Sequence, residues 1–401
     1  MFMELLHRVR RLAHEYHARV VQIRRHLHAH PELSFQEWET SRYVAAQLRE
    51  MGIEPVEGIA GTGIAALVQG TNPEGEIVAL RADMDALPIV EQNEVPYKSQ
   101  TEGVMHACGH DAHTASLLGA AWILQQLRAE FKGVVKLIFQ PGEEKAPGGA
   151  SLMIRDGVLE NPRPSRVLGQ HVMTQLPVGK VGFRPGLYMA SADEIYVTVR
   201  GRGGHAAMPD KLIDPVLIAS HLIVALQQLV SRRATPTIPS VLSFGRVIAQ
   251  GATNIIPDEV KIEGTFRTLD ERWREEAHGI MKGLAESLAA AMGGSCEFDI
   301  LKGYPFLHNH EETTLRARRG AVEYLGADNV VDLDIWMAAE DFAFYSQHAE
   351  ACFYRLGVRN EARGIVSGVH TPTFDIDEQA LETGAGLMAW LALKELGADC
   401  A

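Results

Sequence analysis

Short, almost continuously apolar runs constrain this chain more than any other feature. Ile64–Val68, Ile77–Leu80, Val134–Phe139 and Val167–Gly169 carry hydrophobic side chains on successive positions and are bounded by glycine or charge. A segment apolar on both faces belongs to a strand covered from both sides, the usual state of a parallel sheet flanked by helices. Between these runs the spacing becomes helical. It does so over Glu4–His30, stopped by Pro31, over Phe35–Met51, closed by Gly52, and over His113–Leu127. In the last of these, Ala115, Leu118, Ala121 and Trp122 share a face. Alternating strands and helices predict an α/β fold with an open, mixed, largely parallel sheet.

The texture changes near Met189. Glu194–Arg200 alternates, with Ile195, Val197 and Val199 on one side. Asp214-Pro215 opens a helix, strands follow at Ser240–Ile248 and Val260–Thr268, and Thr268 with Glu271 has capping-box spacing for a helix reaching Met292. A strand at Cys296–Lys302 completes a β-α-β-β-α-β order, that of a ferredoxin-like unit. Helical patterns at Thr313–Leu325 and Thr383–Leu396 return after Pro305. A chain of 401 residues exceeds what one core usually holds. The expectation is a discontinuous first domain, 1–188 and 305–401, interrupted by a second, 189–304, with hinges at Arg184–Met189 and Tyr304–Leu307.

The formal net charge is −13, spread along the chain, which argues against nucleic acid as a partner because phosphate binding needs a clustered basic surface. No apolar run of membrane-spanning length is expected, and the start lacks a signal-peptide pattern, so the predicted compartment is the cytoplasm. Four cysteines, Cys108, Cys296, Cys352 and Cys400, have no disulfide-framework spacing.

Clusters of reactive side chains sit just after predicted strands. LRADMDALP delivers Asp83 and Asp85, QPGEE delivers Glu143 and Glu144, and GQHV delivers His171. Ligands of open α/β sheets bind beyond the carboxyl ends of the strands, so these segments would converge on one crevice. Singly, each has a plainer reading: turn aspartates, a solvated glutamate pair, a satisfied core histidine. MHACGHDAHTA adds Cys108 and His110, a Cys-x-His pair that could ligate metal or, alternatively, supply a nucleophile with its base. The nucleophile reading leaves Glu143, Glu144 and His171 without a task, whereas a metal site employs all of them.

In order, the motifs RRHLHAHPELSFQEWET, LRADMDALP, MHACGHDAHTASLLGAA, QPGEE, GRGGHAAMP, ATNIIPDEVKIEGTFRTLDE, AAEDFAFY and VHTPTFDIDE resemble those of a group of metal-dependent amidohydrolases. This co-catalytic metallopeptidase group includes hippurate hydrolases, N-acyl-amino-acid amidohydrolases, indole-acetyl-amino-acid hydrolases and carboxypeptidases. The resemblance implies two divalent ions per subunit, zinc, manganese or cobalt, held by Cys108, His110, Glu144, His171 and His370. It implies Glu143 as the general base on a metal-bridging water and Asp83 as a catalytic residue, with Asp85 as a partner behind the ligands. It further implies that His205, Asn254 and Arg267 bind substrate, an N-acyl amino acid or short peptide. The interrupted domain would be the catalytic one, and the insert a lid that also forms a homodimer or homotetramer. Asp210, Gly142 and Lys145 depart from the usual residues beside these motifs, which bears on substrate preference. A Cys108-dependent amidase and a non-catalytic metal-binding protein are the alternative readings.

Overall fold

The computed structural model describes residues 2–397; Cys400 lies outside them. The chain begins with α1 (Phe2–Ala29) and α2 (Trp38–Glu50), then β1 (Pro55–Ile59), β2 (Gly63–Gln69) and β3 (Ile77–Asp83). Next come α3 (His110–Gln126), β4 (Val134–Gln140), α4 (Gly149–Arg155), β5 (Arg166–Pro177) and β6 (Val181–Phe183). The following stretch is β7 (Asp193–Arg200), α5 (Pro215–Leu226), β8 (Ser240–Ile248), β9 (Glu259–Thr268), α6 (Glu271–Ala291) and β10 (Ser295–Lys302). After it stand α7 (Glu311–Leu325), β11 (Val330–Asp332), β12 (Glu350–Arg359) and α8 (Ala380–Glu395). These elements form two compact units: one runs to Tyr188 and includes His308–Ile335 and the residues from Asp341 on; the other is Met189–Leu307 with Trp336–Glu340.

The first unit is built on an eight-stranded mixed sheet in the order β1-β2-β4-β3-β5-β12-β6-β11. Its centre, β4-β3-β5-β12, is parallel. Every residue of β4 is buried. Even Lys136 is inside, its ammonium donating to the Glu160 and Pro162 carbonyls at 2.7 and 3.0 Å, as a buried charge requires partners. Helix α8 is buried nearly throughout and lies hard against α3 and α1. A Cβ on Gly119 would come within 2.7 Å of Ala385 Cβ and 2.9 Å of Val20, so the absent side chain sets the helix spacing. The pairing of β3 with β5 ends at Arg81–Gly169, which leaves Asp83 and His171 just past it.

Helix α2 begins later than its apolar spacing predicts. Phe35 has a left-handed φ of 65°, and buried Glu37 accepts hydrogen bonds from Phe35 N, Gly142 N and Thr62 Oγ1. That carboxylate ties two loops together where a helix turn was expected. Helix α3 begins earlier, at His110, which puts His110 and His113 one turn apart.

In the second unit the sheet order is β8-β9-β7-β10, all antiparallel, with α5 and α6 as its helices. This is the ferredoxin-like arrangement. Ile195, Val197 and Val199 of β7 meet Ile218, Leu222, Trp273 and Met281 in its core. Asp214 caps α5, accepting from Val216 N and Leu217 N. The cap of α6 is Asp270, which accepts from Trp273 N at 2.7 Å; the expected capping box from Thr268 is wrong, because Thr268 still belongs to β9 and its hydroxyl donates to Pro239 O. The expectation that no stretch has membrane-spanning length also needs correction. Helical residues Pro215–Arg233 are long and apolar enough to cross a membrane by length and composition alone, although Ile218, Leu222, Leu226 and Leu229 of that stretch pack into the core of this unit.

Candidate metal centre

Five segments of the first unit deliver polar side chains to one place. Asp83 stands at the end of β3, Asp85 just after it, Cys108 and His110 at the start of α3, Glu143 and Glu144 after β4, His171 on β5, and His370 on the loop before α8. Their donor atoms gather in overlapping sets: Cys108, His110 and His171; Cys108, Glu144 and His370; His110, Glu143 and Glu144. Cys108 Sγ belongs to the first two, so one thiol lies within reach of both positions.

The Cys-Gly-His spelling has a steric reason. Gly109 has φ 86° and stands at the N-cap of α3. A Cβ there would lie 2.5 Å from Val172 Cγ2. Only glycine takes this backbone at little cost, and the turn it makes aims Cys108 and His110 at the same space. Gly142, one of the departures noted above, has φ 58°, and a Cβ on it would sit 2.4 Å from the Phe35 ring. The loop carrying Glu143 thus packs directly on that aromatic face.

Hydrogen bonds decide the role of each histidine. His171 Nδ1 lies 2.7 Å from the Val172 carbonyl, which can only accept, so Nδ1 carries the proton. Its Nε2 lone pair faces Cys108 Sγ at 3.5 Å. Burial and the neighbouring His113 and Arg355 hold His171 well below the ordinary imidazole range. His110 Nδ1 donates to Asp85 Oδ1 at 3.1 Å, leaving Nε2 buried without a hydrogen-bond partner among the described residues. Burial would lower His110, but Asp83, Asp85 and Cys108 outweigh it and raise it well above the ordinary range. A neutral imidazole with its second nitrogen anchored by a carboxylate is the usual form of a metal ligand. Held on Nε2, a divalent ion would face the Asp83 carboxylate, which lies 3.8 Å from that nitrogen.

His113 is different although it comes from the same motif. It donates from Nδ1 to Asp83 Oδ1 at 2.6 Å and accepts the Val172 N–H on Nε2 at 2.9 Å. Both nitrogens are used, so no lone pair remains for a metal. Asp83 also binds Arg81 at 2.6 Å and lies 3.8 Å from His110 Nε2. Burial would raise Asp83, but His110, Arg81 and His113 bring it well below the carboxylate range.

Glu144 Oε1 meets His370 Nε2 at 3.0 Å and His110 Nε2 at 4.0 Å; Glu143 Oε2 lies 3.9 Å from His110 Nε2. Asp85 Oδ2 accepts from Ser34 Oγ and from Glu144 N, holding the glutamate backbone. His370 is the most exposed of the set, with 52% of its side chain open, and hydrogen bonding to Cys108 and Glu144 raises it to about 10. Burial, with Glu144 beside it, pushes the Cys108 thiol above its ordinary range. The donor chemistry fits two divalent ions: imidazole, thiolate and carboxylate together suit zinc, and the nitrogen and oxygen donors suit manganese or cobalt.

The remaining candidate residues belong to the second unit. A two-residue strand pair, Gly204–His205 with Ile255–Ile256, brings exposed His205 and Asn254 together; Ala206 N donates to Asn254 O at 3.1 Å. Arg267 is half-buried on β9. Burial lowers it somewhat, and it makes no ion pair among the described residues. Sequence reading passed over Arg81, Gln140 and Asp341, a buried set in which Arg81 binds Asp341 at 2.8 Å and Gln140 at 2.9 Å. It also left His113 without a role. Arg81 and His113 stand inside the motifs already quoted, so the neighbourhood was visible and the pairing was not.

A family model described as Peptidase family M20/M25/M40 matches residues 79–394. An N-acetylcysteine deacetylase of Bacillus subtilis is 40% identical over 381 residues, covering 94% of this chain and 97% of that protein. Thermostable carboxypeptidase 2 of Saccharolobus solfataricus is 38% identical over 395 residues, covering 98% and 99%. The solved structure of the Bacillus subtilis YXEP protein, titled a dinuclear metal binding peptidase from the M20 family, superposes with a TM-score of 0.82 at 37% identity, covering 96% of this chain and 99% of that one. With the profile spanning most of its length and relatives this similar end to end, the chain belongs to the peptidase family M20/M25/M40.

Proposed function

We propose that this protein is a dinuclear metal-dependent hydrolase that cleaves the amide bond of N-acyl-L-amino acids. The observation that carries the reading is the pair of donor sets sharing Cys108 Sγ, with Glu143 beside them. Cys108, His110, Glu144, His171 and His370 would hold the two ions. Two divalent ions so held supply Lewis acidity, polarising the scissile carbonyl and making water a nucleophile near neutral pH. Glu143 accepts the attacking water's proton and returns it to the departing nitrogen. Asp83 acts through its neighbours: tied to Arg81 and His113 and facing His110, it suits tuning that ligand better than touching substrate.

His205 and Asn254 bind the acyl-amide portion, and Arg267, a forked cation without a carboxylate partner among the described residues, takes the free carboxylate of the amino acid. The second unit serves as a lid, hinged at Arg184–Met189 and Tyr304–Leu307, and forms the contact of a homodimer or homotetramer. The compartment is the cytoplasm and the ions are zinc, manganese or cobalt. The deacetylase relative and the IAA-amino acid hydrolase ILR1-like 5 of Arabidopsis thaliana, 40% identical over 381 residues, support acylated amino acids as the substrate class. The thermostable carboxypeptidase relative supports a second reading, removal of C-terminal residues from short peptides by the same chemistry. A cysteine nucleophile fits poorly, because it leaves Glu143, Glu144 and His171, which share donor sets with Cys108 and His110, without a task.

Glu143→Gln tests the mechanism. Turnover of N-acyl amino acids should fall by about 10²–10⁴-fold with metal content unchanged. Unaltered turnover across a panel of acetyl, benzoyl, indole-acetyl and peptidyl substrates would refute the assignment.

A further inference from the structure

Behind the donor cluster lies a buried polar group that none of the proposed chemistry uses. Arg24, on α1, is fully buried. Its Nε donates to Asp111 Oδ2 at 2.8 Å and its Nη2 to Asp375 Oδ1 at 2.9 Å. The guanidinium stacks over Tyr97 at 4.8 Å, and the Tyr97 hydroxyl donates to Asp375 Oδ2 at 2.8 Å. His28, one turn along α1, lies 2.7 Å from Asp111 Oδ2 and 3.2 Å from Glu91 Oε1.

The two carboxylates that Arg24 joins belong to different parts of the candidate centre. Asp111 directly follows His110 in the first turn of α3, and Asp375 sits on the loop that carries His370. That loop is also anchored by Phe374 and Ile376, both buried in the core, and by Glu378 beyond it, whose Oε1 lies 3.6 Å from Arg24 Nη1. Gln92 N donates to Pro372 O, Asn93 Nδ2 to Phe374 O, and His370 N to Ala107 O. His370 itself has φ 60°, a conformation that costs a non-glycine residue energy and persists only where surroundings enforce it.

We propose that Arg24 is a positioning residue of the metal centre. Its two-pronged guanidinium sets the separation between the Cys108–Asp111 segment and the His370–Asp375 segment, so that Cys108, Glu144 and His370 can share one ion. Lysine at this position would keep the charge but offer one point of attachment where the fork offers two. The inference rests on the dinuclear reading above, and its test therefore includes a measurement that needs no metal.

Arg24→Lys and Asp375→Asn are compared with the parent protein by cobalt titration of the stripped full chain and by hydrogen exchange of the metal-free chain. The parent should take up two equivalents of cobalt. Both variants should retain one at parental affinity and bind the second about tenfold more weakly or worse. Amides of 370–377 should exchange faster in both, while those of α3 beyond its first turn do not change. Arg318→Gln, which cuts a pair with Asp332 remote from this network, should alter neither readout. Should Arg24→Lys not fold, Asp375→Asn, which leaves the Arg24–Asp111 pair in place, decides alone. Two equivalents bound at parental affinity, with unchanged loop exchange, overturn the proposal. A parent protein that binds no cobalt overturns the metal reading instead; the loop exchange then judges Arg24 by itself, faster exchange upholding its role and unchanged exchange refuting it.

Discussion

The first unit buries His110, His113 and His171 and settles the state of each through a hydrogen bond on Nδ1. The second unit leaves His205 and Asn254 in solvent at a two-strand ribbon, where the His205 ring accepts a single bond, from Ala207 N at 3.1 Å, among the described residues. Burial makes charge state and geometry matter, because an unpaired polar atom in the interior is costly and a paired one is rigid. The first arrangement is built for a fixed chemical task.

Four experiments would break or sharpen that contrast. Stripping metal with a chelator should abolish amide hydrolysis, and zinc, manganese or cobalt should restore it; turnover by the stripped protein would detach the first unit's cluster from the reaction. Acid should next expose the strain of burial. His106 is fully buried and burial lowers it to about 4, below its unfolded value, so the unfolded chain binds the extra proton first. The stability this costs is lost as pH falls from about 6.5 towards 4, by up to about 3 kcal/mol. Unfolding by denaturant at pH 7.5 and 5 should therefore show a weaker pH dependence for His106→Phe than for the parent, and equal slopes would contradict the sign worked out here.

Asp85→Asn should weaken metal affinity about 10–100-fold, since it loosens the anchor of His110 Nδ1 and the hold on Glu144 N; calorimetric titration reads this directly. The smallest effect belongs to the second unit. Arg267→Lys should raise KM about tenfold for substrates with a free carboxylate, leave kcat nearly unaltered and leave metal content untouched. A loss of metal in this last variant would contradict the division of labour between the units.

Much of the candidate centre was legible in order along the chain. Strands β3, β4 and β5 announce themselves as apolar runs, and the residues after each are the ones that meet. Asp83, Glu143, Glu144 and His171 could be nominated because a parallel sheet gathers its carboxyl ends. His370 could not be found this way. It lies on an irregular loop with a left-handed backbone, and no periodicity points to it; the resemblance to relatives did. The cap of α6 was misjudged because Thr268 and Asp270 are both good cap residues, and the register of β9 chooses between them.

Covalent order by itself determined part of the candidate set: that Asp83, Glu143, Glu144 and His171 follow strands able to converge, and that Cys108 and His110 stand two positions apart. The tertiary structure alone decided which histidine keeps a free nitrogen, that Asp83 serves His113 and Arg81, and that Arg24 joins the His110 and His370 segments. The reason is physical. A side chain's chemistry is written in its residue, but its protonation, orientation and distance to a group hundreds of positions away depend on packing, and packing exists only once the chain has folded.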